Sequence, residues 1–215
     1  TDHEPLYSAQ QHHLPVLFIY CFEPSIIAYH DSDIRHWRFI HESLMEMNDK
    51  LKNIKAQLYI FHQEVIPVFQ ELLLHYSIEN LYSHEESGNA LSYQRDKEMK
   101  VFCQSAGINW QETPNNGVIR RLKSRKNWQA RWEKSMTQRP FLVREDLWNL
   151  VKLPTELYES LRGEDLPQEF KIRNTHFQEG GEYWAWKYLK SFVQSRHHGY
   201  SQSISKPEAS RRACS

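Results

Sequence analysis

Along the first half of the chain the hydrophobic positions switch repeatedly between continuous apolar runs and stripes spaced by three and four residues. "PVLFIYCF" (Pro15–Phe22) is a continuous run stopped by Glu23-Pro24, which predicts a buried parallel strand. From Asp33 onward Trp37, Ile40, Leu44, Met47, Leu51 and Ile54 recur on one helical face, with Ser32 or Asp33 as the cap. The alternation continues with "QLYIF" as a strand, "EVIPVFQELLLHY" as a helix and "IENLYS" as a strand. "NALSYQRDKEMKVFCQSAG" then reads as a helix ending at Gly107, and "INWQET" as a fourth strand. Strands joined by helices make βαβ units, so the pattern predicts an α/β fold with a doubly wound, mostly parallel, Rossmann-like sheet.

The character changes after Thr113. "PNNG" is a turn, and residues 118–139 then carry eight Lys or Arg against one Glu, with Trp128 and Trp132 among them. Two readings stand. The stretch could hold nucleic acid by phosphate contacts and base stacking. Alternatively Trp128, Trp132 and Met136, four residues apart, form the buried side of a helix whose charges are solvated, and the helical spacing favours this second reading. Between Arg144 and Glu169 the balance reverses to seven acids against three bases, and this segment reads as a connector crossing a surface without a core of its own. A last helix, "GGEYWAWKYLKSFVQSRHH", begins after Gly180-Gly181.

Composition narrows the function. With 215 residues, 40% of them hydrophobic and 13% aromatic, the chain can bury a core. Its net charge is zero, so no whole-molecule field draws nucleic acid or an anionic membrane. Cys21, Cys103 and Cys214 form no CxxC and predict free thiols in a reducing, cytoplasmic setting. The apolar runs fall far short of the roughly 20 residues that cross a bilayer. Seven glycines supply neither GxGxxG nor a P-loop, which argues against a standard dinucleotide or NTP site. The pairs His12-His13 and His197-His198 are adjacent, and His36 and His41 are five apart, so neither spacing aims two imidazoles at one metal ion.

At its two ends the chain resembles the DNA photolyase and cryptochrome family. "TDHEPLYSA" is similar to the tail of that family's first-strand signature through Asp2 and Leu6, and "YCFEPS" to the strand and acidic-Pro turn that come next. "RHWRFIHESL" and "QRDKEMKVFCQSAGI" resemble two further segments, the latter through Arg95, Asp96, Cys103, Gly107 and Ile108. "GGEYWAWKYLKSF" resembles the G-G-E-x-x-A-x-x-x-L-x-x-F helix through Gly180, Gly181, Glu182, Ala185, Leu189 and Phe192.

The resemblance implies an amino-terminal photolyase-type α/β domain over 1–117, lacking its first strand, then a connector over 118–179 and the start of a helical FAD-binding domain over 180–215. It implies that the complete protein is a monomer that uses FAD for light-driven electron transfer to pyrimidine dimers in UV-damaged DNA. The alternative is a cryptochrome-type photoreceptor without repair activity. By the same resemblance Tyr200, Cys214 and Ser215 fall at the FAD phosphate cradle, and Phe22, Glu23 and Ser92 are the candidates beside an antenna chromophore. Folate-antenna members carry a glutamate one turn before the Arg-Asp pair. Ser92 stands near that place, which leaves a deazaflavin, a flavin or no antenna open. Without the family, the residues fit a flavodoxin-like small-molecule binding module.

Overall fold

The computed structural model describes residues 2–115, 117–120, 122–144 and 148–203. The chain divides into two compact units, Thr1–Tyr29 with Tyr59–Gly163, and His30–Leu58 with Glu164–Ser215.

In the first unit, α1 (Glu4–Gln11) is followed by β1 (Phe18–Cys21) and the single turn α2 (Pro24–Ile27). The helix α3 (Ile34–Lys52) belongs to the second unit and leads to β2 (Leu58–Phe61). Then come α4 (Val65–His75), β3 (Asn80–His84), α5 (Ala90–Ala106) and β4 (Asn109–Thr113). All four predicted strands and the three predicted helices between them are present, each strand shorter than its apolar run. Asp33 caps α3 by accepting from Arg35 N, and α5 ends at Gly107 in the left-handed conformation.

The sheet is split. β1 pairs with β2, and β3 pairs in parallel with β4 from Asn80↔Asn109 to His84↔Thr113. Among the described residues no hydrogen bond joins β1 to β3, as expected of strands that are not neighbours. The strand pleat shows which edges are turned away from a partner. Phe22 N donates to Phe61 O and Val16 N to Asn149 O, so Leu17, Ile19 and Cys21 direct their peptide groups to the opposite side of β1. On β3, Asn109 N donates to Glu79 O and Glu85 N to Thr113 O, which turns the peptide groups of Asn80, Tyr82 and His84 away from β4. Both ribbons nevertheless share one helical layer. Ile19 of β1 and Leu81 of β3 pack against the same cluster of Phe69, Met99, Cys103 and Ile108.

The segment from Arg144 to Glu169 departs from the expectation. It forms α7 (Thr155–Leu161) after α6 (Trp128–Met136), and its Leu153, Leu157 and Leu161 are buried with Tyr59, Phe61, Val68 and Leu72. Tyr59 Oη accepts from Leu153 N at 2.9 Å, and Val151 N donates to Val16 O. The Leu-x-x-x-Leu-x-x-x-Leu spacing is a helical stripe whose signal was masked by the acids and prolines around it. Residues 151–161 therefore complete the core of the first unit.

A second correction concerns the basic stretch. Among the described residues of the stretch only 128–136 are helical, and Trp128, Trp132 and Met136 are 43%, 39% and 46% exposed. The nine-residue helix has no buried residue, so its apolar side does not pack into the core as the four-residue spacing suggested.

In the second unit α3 packs on the short α8 (Gln168–Lys171), with Trp37 stacked 6.2 Å from Phe170 and Arg38 donating to Glu169 O. The last long helix, α9 (Glu182–Gln194), starts where predicted. Among the described residues, no helix is long and apolar enough to cross a membrane.

Candidate functional site

Ligands of open α/β sheets bind beyond the carboxyl ends of the strands. In the first unit that rim is built from carboxylates. Glu23 follows β1, Glu64 follows β2, Glu86 follows β3 and Glu112 lies near the end of β4. A carboxylate thus lies within three residues of the end of each strand, and two arginines from elsewhere bind these ends together.

Arg95, in the second turn of α5, places Nη1 2.5 Å from Glu23 Oε1 and Nη2 2.9 Å from Asp96 Oδ1, with Glu86 Oε2 at 3.7 Å. Arg120 reaches the other oxygen of Asp96 at 2.7 Å and Glu112 Oε1 at 2.7 Å, and its Nε donates to Glu86 O. Asp96 thus lends one oxygen to each guanidinium. The result is a continuous chain Glu23–Arg95–Asp96–Arg120–Glu112 across the ends of both ribbons. Planar guanidinium forks suit such carboxylate pairing better than a lysine would. Below it, Glu23 Oε2 accepts from Val65 N at 3.3 Å, and Glu64 accepts from both Ser25 N and Ser25 Oγ, at 2.8 and 2.9 Å. The loops after β1 and β2 therefore hold each other.

Burial dominates the electrostatics. It pushes the Glu23 carboxyl above its ordinary range, against the opposing pull of Arg95. The Arg95 guanidinium is desolvated too, yet Glu23 and Asp96 more than offset this and hold it firmly protonated. Burial also pushes Cys21 and Tyr20 up to about 12, so neither is an ionised nucleophile at neutral pH. With two arginines facing Glu23, Glu86, Asp96 and Glu112, the rim has an excess of acceptors. Such a rim suits a ligand edge rich in N–H donors and disfavours a phosphate.

The residues singled out from the sequence separate into two groups. Phe22 is fully buried and edge-on to Tyr20, and Glu23, 3% exposed, has both oxygens engaged as described. Ser92 is buried in the first turn of α5, its amide donating to Asn89 Oδ1 and its hydroxyl to Asn89 O. These three build the rim from beneath, while Arg95, Glu64 and Glu86 have the solvent access. Tyr200 is 39% exposed and packs edge-on to Phe192 at 5.5 Å. Cys214 and Ser215 lie outside the described residues, so Tyr200 is the only described member of the proposed FAD cradle. A phosphate nest needs several converging donors, and Tyr200 alone does not supply one.

Arg120, Glu64 and Glu112 were not found from the sequence. Arg120 sits in a basic run that reads as a solvated surface, and its partners lie 8, 24 and 34 residues away. Local spacing carries no trace of such a contact.

The second unit contains a separate polar anchor, at the start of α9. Four residues on one face of α3 receive it. Glu42 Oε2 accepts from Gly180 N at 2.7 Å, Ser43 Oγ from Gly181 N at 3.0 Å and Glu46 from Tyr183 N at 3.3 Å, while Lys50 pairs with Glu182 at 2.5 Å. Carboxylates at a helix amino terminus satisfy its free amides and complement its dipole. A Cβ on Gly180 would stand 2.2 Å from Phe39 O, and Gly181 has φ +105°, so this approach requires the two glycines.

Residues 1–140 match the family described as DNA photolyase. The chain belongs to the DNA photolyase family. Its fold is shared with the cryptochrome of Synechocystis sp. PCC6803 at a TM-score of 0.69 and 18% identity, covering 94% of this chain and 46% of that one. A class III photolyase from Agrobacterium tumefaciens matches at 0.61 and 15% identity, over 94% and 43% of the two chains. A Sulfolobus tokodaii photolyase described with two FAD molecules matches at 0.54 and 18% identity, over 99% and 54%. This chain therefore spans about half the length of the structures it resembles. No curated protein sequence matches it significantly. Within the family's α/β region, the Arg95-Asp96 pair noted in the sequence is the centre of the charged rim. The Gly180-Gly181-Glu182 segment is what α3 holds.

Proposed function

We propose that this chain is the amino-terminal α/β portion of a photolyase-type flavoprotein that repairs UV-induced pyrimidine dimers in DNA when complete. Family membership over residues 1–140 carries the reading. FAD supplies the light-driven electron transfer when bound, and in this reading residues 180–215 begin the domain that holds it, with Tyr200, Cys214 and Ser215 entering its phosphate cradle. The chain's own contribution is scaffolding and light collection. α3 fixes the origin of α9 through Glu42, Ser43, Glu46 and Lys50, so the helix that opens the flavin domain starts at a defined point.

The charged rim is the place for an antenna chromophore. Arg95 and Arg120 keep the strand ends in register, and the surplus acceptors of Glu86 and Glu64 meet the N–H edge of a heterocycle. Phe22, Glu23 and Ser92 support that surface from below. A flavin or deazaflavin ring offers such an edge, and the acceptors do not discriminate between them.

Repair and light sensing share this fold, and one assay separates them. The complete protein, mixed with UV-irradiated oligothymidylate, is expected to remove dimers under blue light and not in the dark. A complete protein that binds flavin but leaves the dimers unchanged in light would replace repair by the cryptochrome-type photoreceptor role.

A further inference from the structure

The helix α6 and its flanks concentrate exposed cations beside two exposed indoles. Some helical cations of the chain do meet a carboxylate, as at Arg35, Lys50, Lys52 and Arg95. Around α6, Lys123, Arg125, Lys126, Arg131, Lys134 and Arg139 are all exposed, and among the described residues none of them forms an ion pair. The one acid of the stretch, Glu133, accepts from Gln129 Nε2.

Two indoles lie among these cations. Trp128 and Trp132 are 43% and 39% exposed, with ring planes only 25° apart and centroids 6.3 Å apart. Gly117 lies against the edge of Trp132, where an added Cβ would stand 2.8 Å from Cδ1 and 3.0 Å from Met136 Cε. The backbone thus props the second indole while much of both rings faces water. Large aromatic surfaces left in water are costly unless something covers them. Six unpaired cations beside them define what kind of partner fits: an anionic one with flat apolar faces.

We infer that α6 and its flanks form an accessory binding surface for single-stranded DNA, with unpaired bases stacking on Trp128 and Trp132 and phosphates lying along Arg125, Lys126, Arg131 and Lys134. Unpaired bases are needed because a duplex hides its base faces. This surface is independent of flavin and of any lesion. Its nine helical residues extend about 13 Å, room for two or three nucleotides.

The test uses the 215-residue chain and an undamaged, fluorescein-labelled 16-mer of thymidylate, read by anisotropy and by tryptophan quenching. Binding is expected with Kd of about 10⁻⁴–10⁻⁶ M near physiological salt and a log–log salt slope of about −2, the release expected for three phosphates. Trp128→Ala/Trp132→Ala should weaken it by about 30-fold or more, given two lost stacking contacts. A second variant, Arg125→Gln/Lys126→Gln/Arg131→Gln/Lys134→Gln, keeps the indoles and should flatten the salt slope. Circular dichroism and melting of both variants should match the parent, since these side chains are exposed. Absence of binding at 50 mM salt (about a third of physiological), or binding untouched by both variants, would overturn the inference. So would salt-insensitive self-association of the parent chain that the tryptophan variant abolishes, because the indoles would then be covered by protein.

Discussion

Replacing Arg95 by Met probes the charged rim directly. The substitution keeps the aliphatic stem and removes the guanidinium that faces Glu23 at 2.5 Å and Asp96 at 2.9 Å. Asp96 retains Arg120, but Glu23, 3% exposed, loses the one cation and keeps the one backbone donor, Val65 N, that it has among the described residues. Breaking a buried pair by removing one partner costs about 3–5 kcal/mol. Because Arg95 retains some access to water, with a side chain 27% exposed, the lower end, about 3 kcal/mol, is expected near neutral pH. The pH dependence supplies the sharper test. Burial already raises the Glu23 carboxyl above its unfolded value, so the folded state binds the extra proton in the window just above pH 4.5, and stability falls as pH rises through it. Without Arg95 that window extends upward. Urea unfolding of parent and Arg95→Met chains should therefore give a difference that is small at pH 5 and grows toward pH 8. Adding Glu23→Gln should recover part of the loss at pH 8, because an amide needs no counter-charge. A difference below 1 kcal/mol (of the order found for exposed pairs), or one equal at both pH values, would refute a buried, arginine-dependent Glu23.

Three further outcomes follow from the packing and the pKa shifts. Gly180→Ala should push the origin of α9 away from α3, since its Cβ would lie 2.2 Å from Phe39 O, and faster hydrogen exchange at the Gly181 and Tyr183 amides would report it. Leu157→Ala should cost about 2–5 kcal/mol in urea unfolding, because Leu157 is 8% exposed in the core; a loss under 1 kcal/mol would return that segment to the surface. Burial, together with the nearby His84, pushes His3 down to about 4, while its Nδ1 accepts from Leu6 N to cap α1. The unfolded state then binds more protons between pH 6.5 and about 4, so stability should drop as pH falls across that window, and His3→Asn should flatten that component while keeping a capping acceptor.

The sheet and its helices were legible because their signals are local. Apolar runs such as "LYIF" are short, and Asp33 and Gly107 punctuate α3 and α5 at the residues where those helices begin and end. The α7 stripe of Leu153, Leu157 and Leu161 was legible in principle, but acids and prolines outweighed it in a composition reading. Trp128, Trp132 and Met136 misled in the other direction. A spacing of four shows that residues share a helical face, but whether anything covers that face depends on tertiary contacts. The site was legible only in part for the same reason. Glu23 and Arg95 stand out in motifs, whereas Arg120 acquires its role from Asp96 and Glu112, which only the folded chain brings within 2.7 Å.

The central proposal, that these residues belong to a flavoprotein of the photolyase type, is tested most directly by the flavin content of the complete protein from the same reading frame. Denaturing that protein and quantifying the released chromophore should give at least about one FAD per chain from the proposed phosphate cradle, with a second flavin where the antenna is also a flavin. A folded complete protein that releases no flavin would contradict the account.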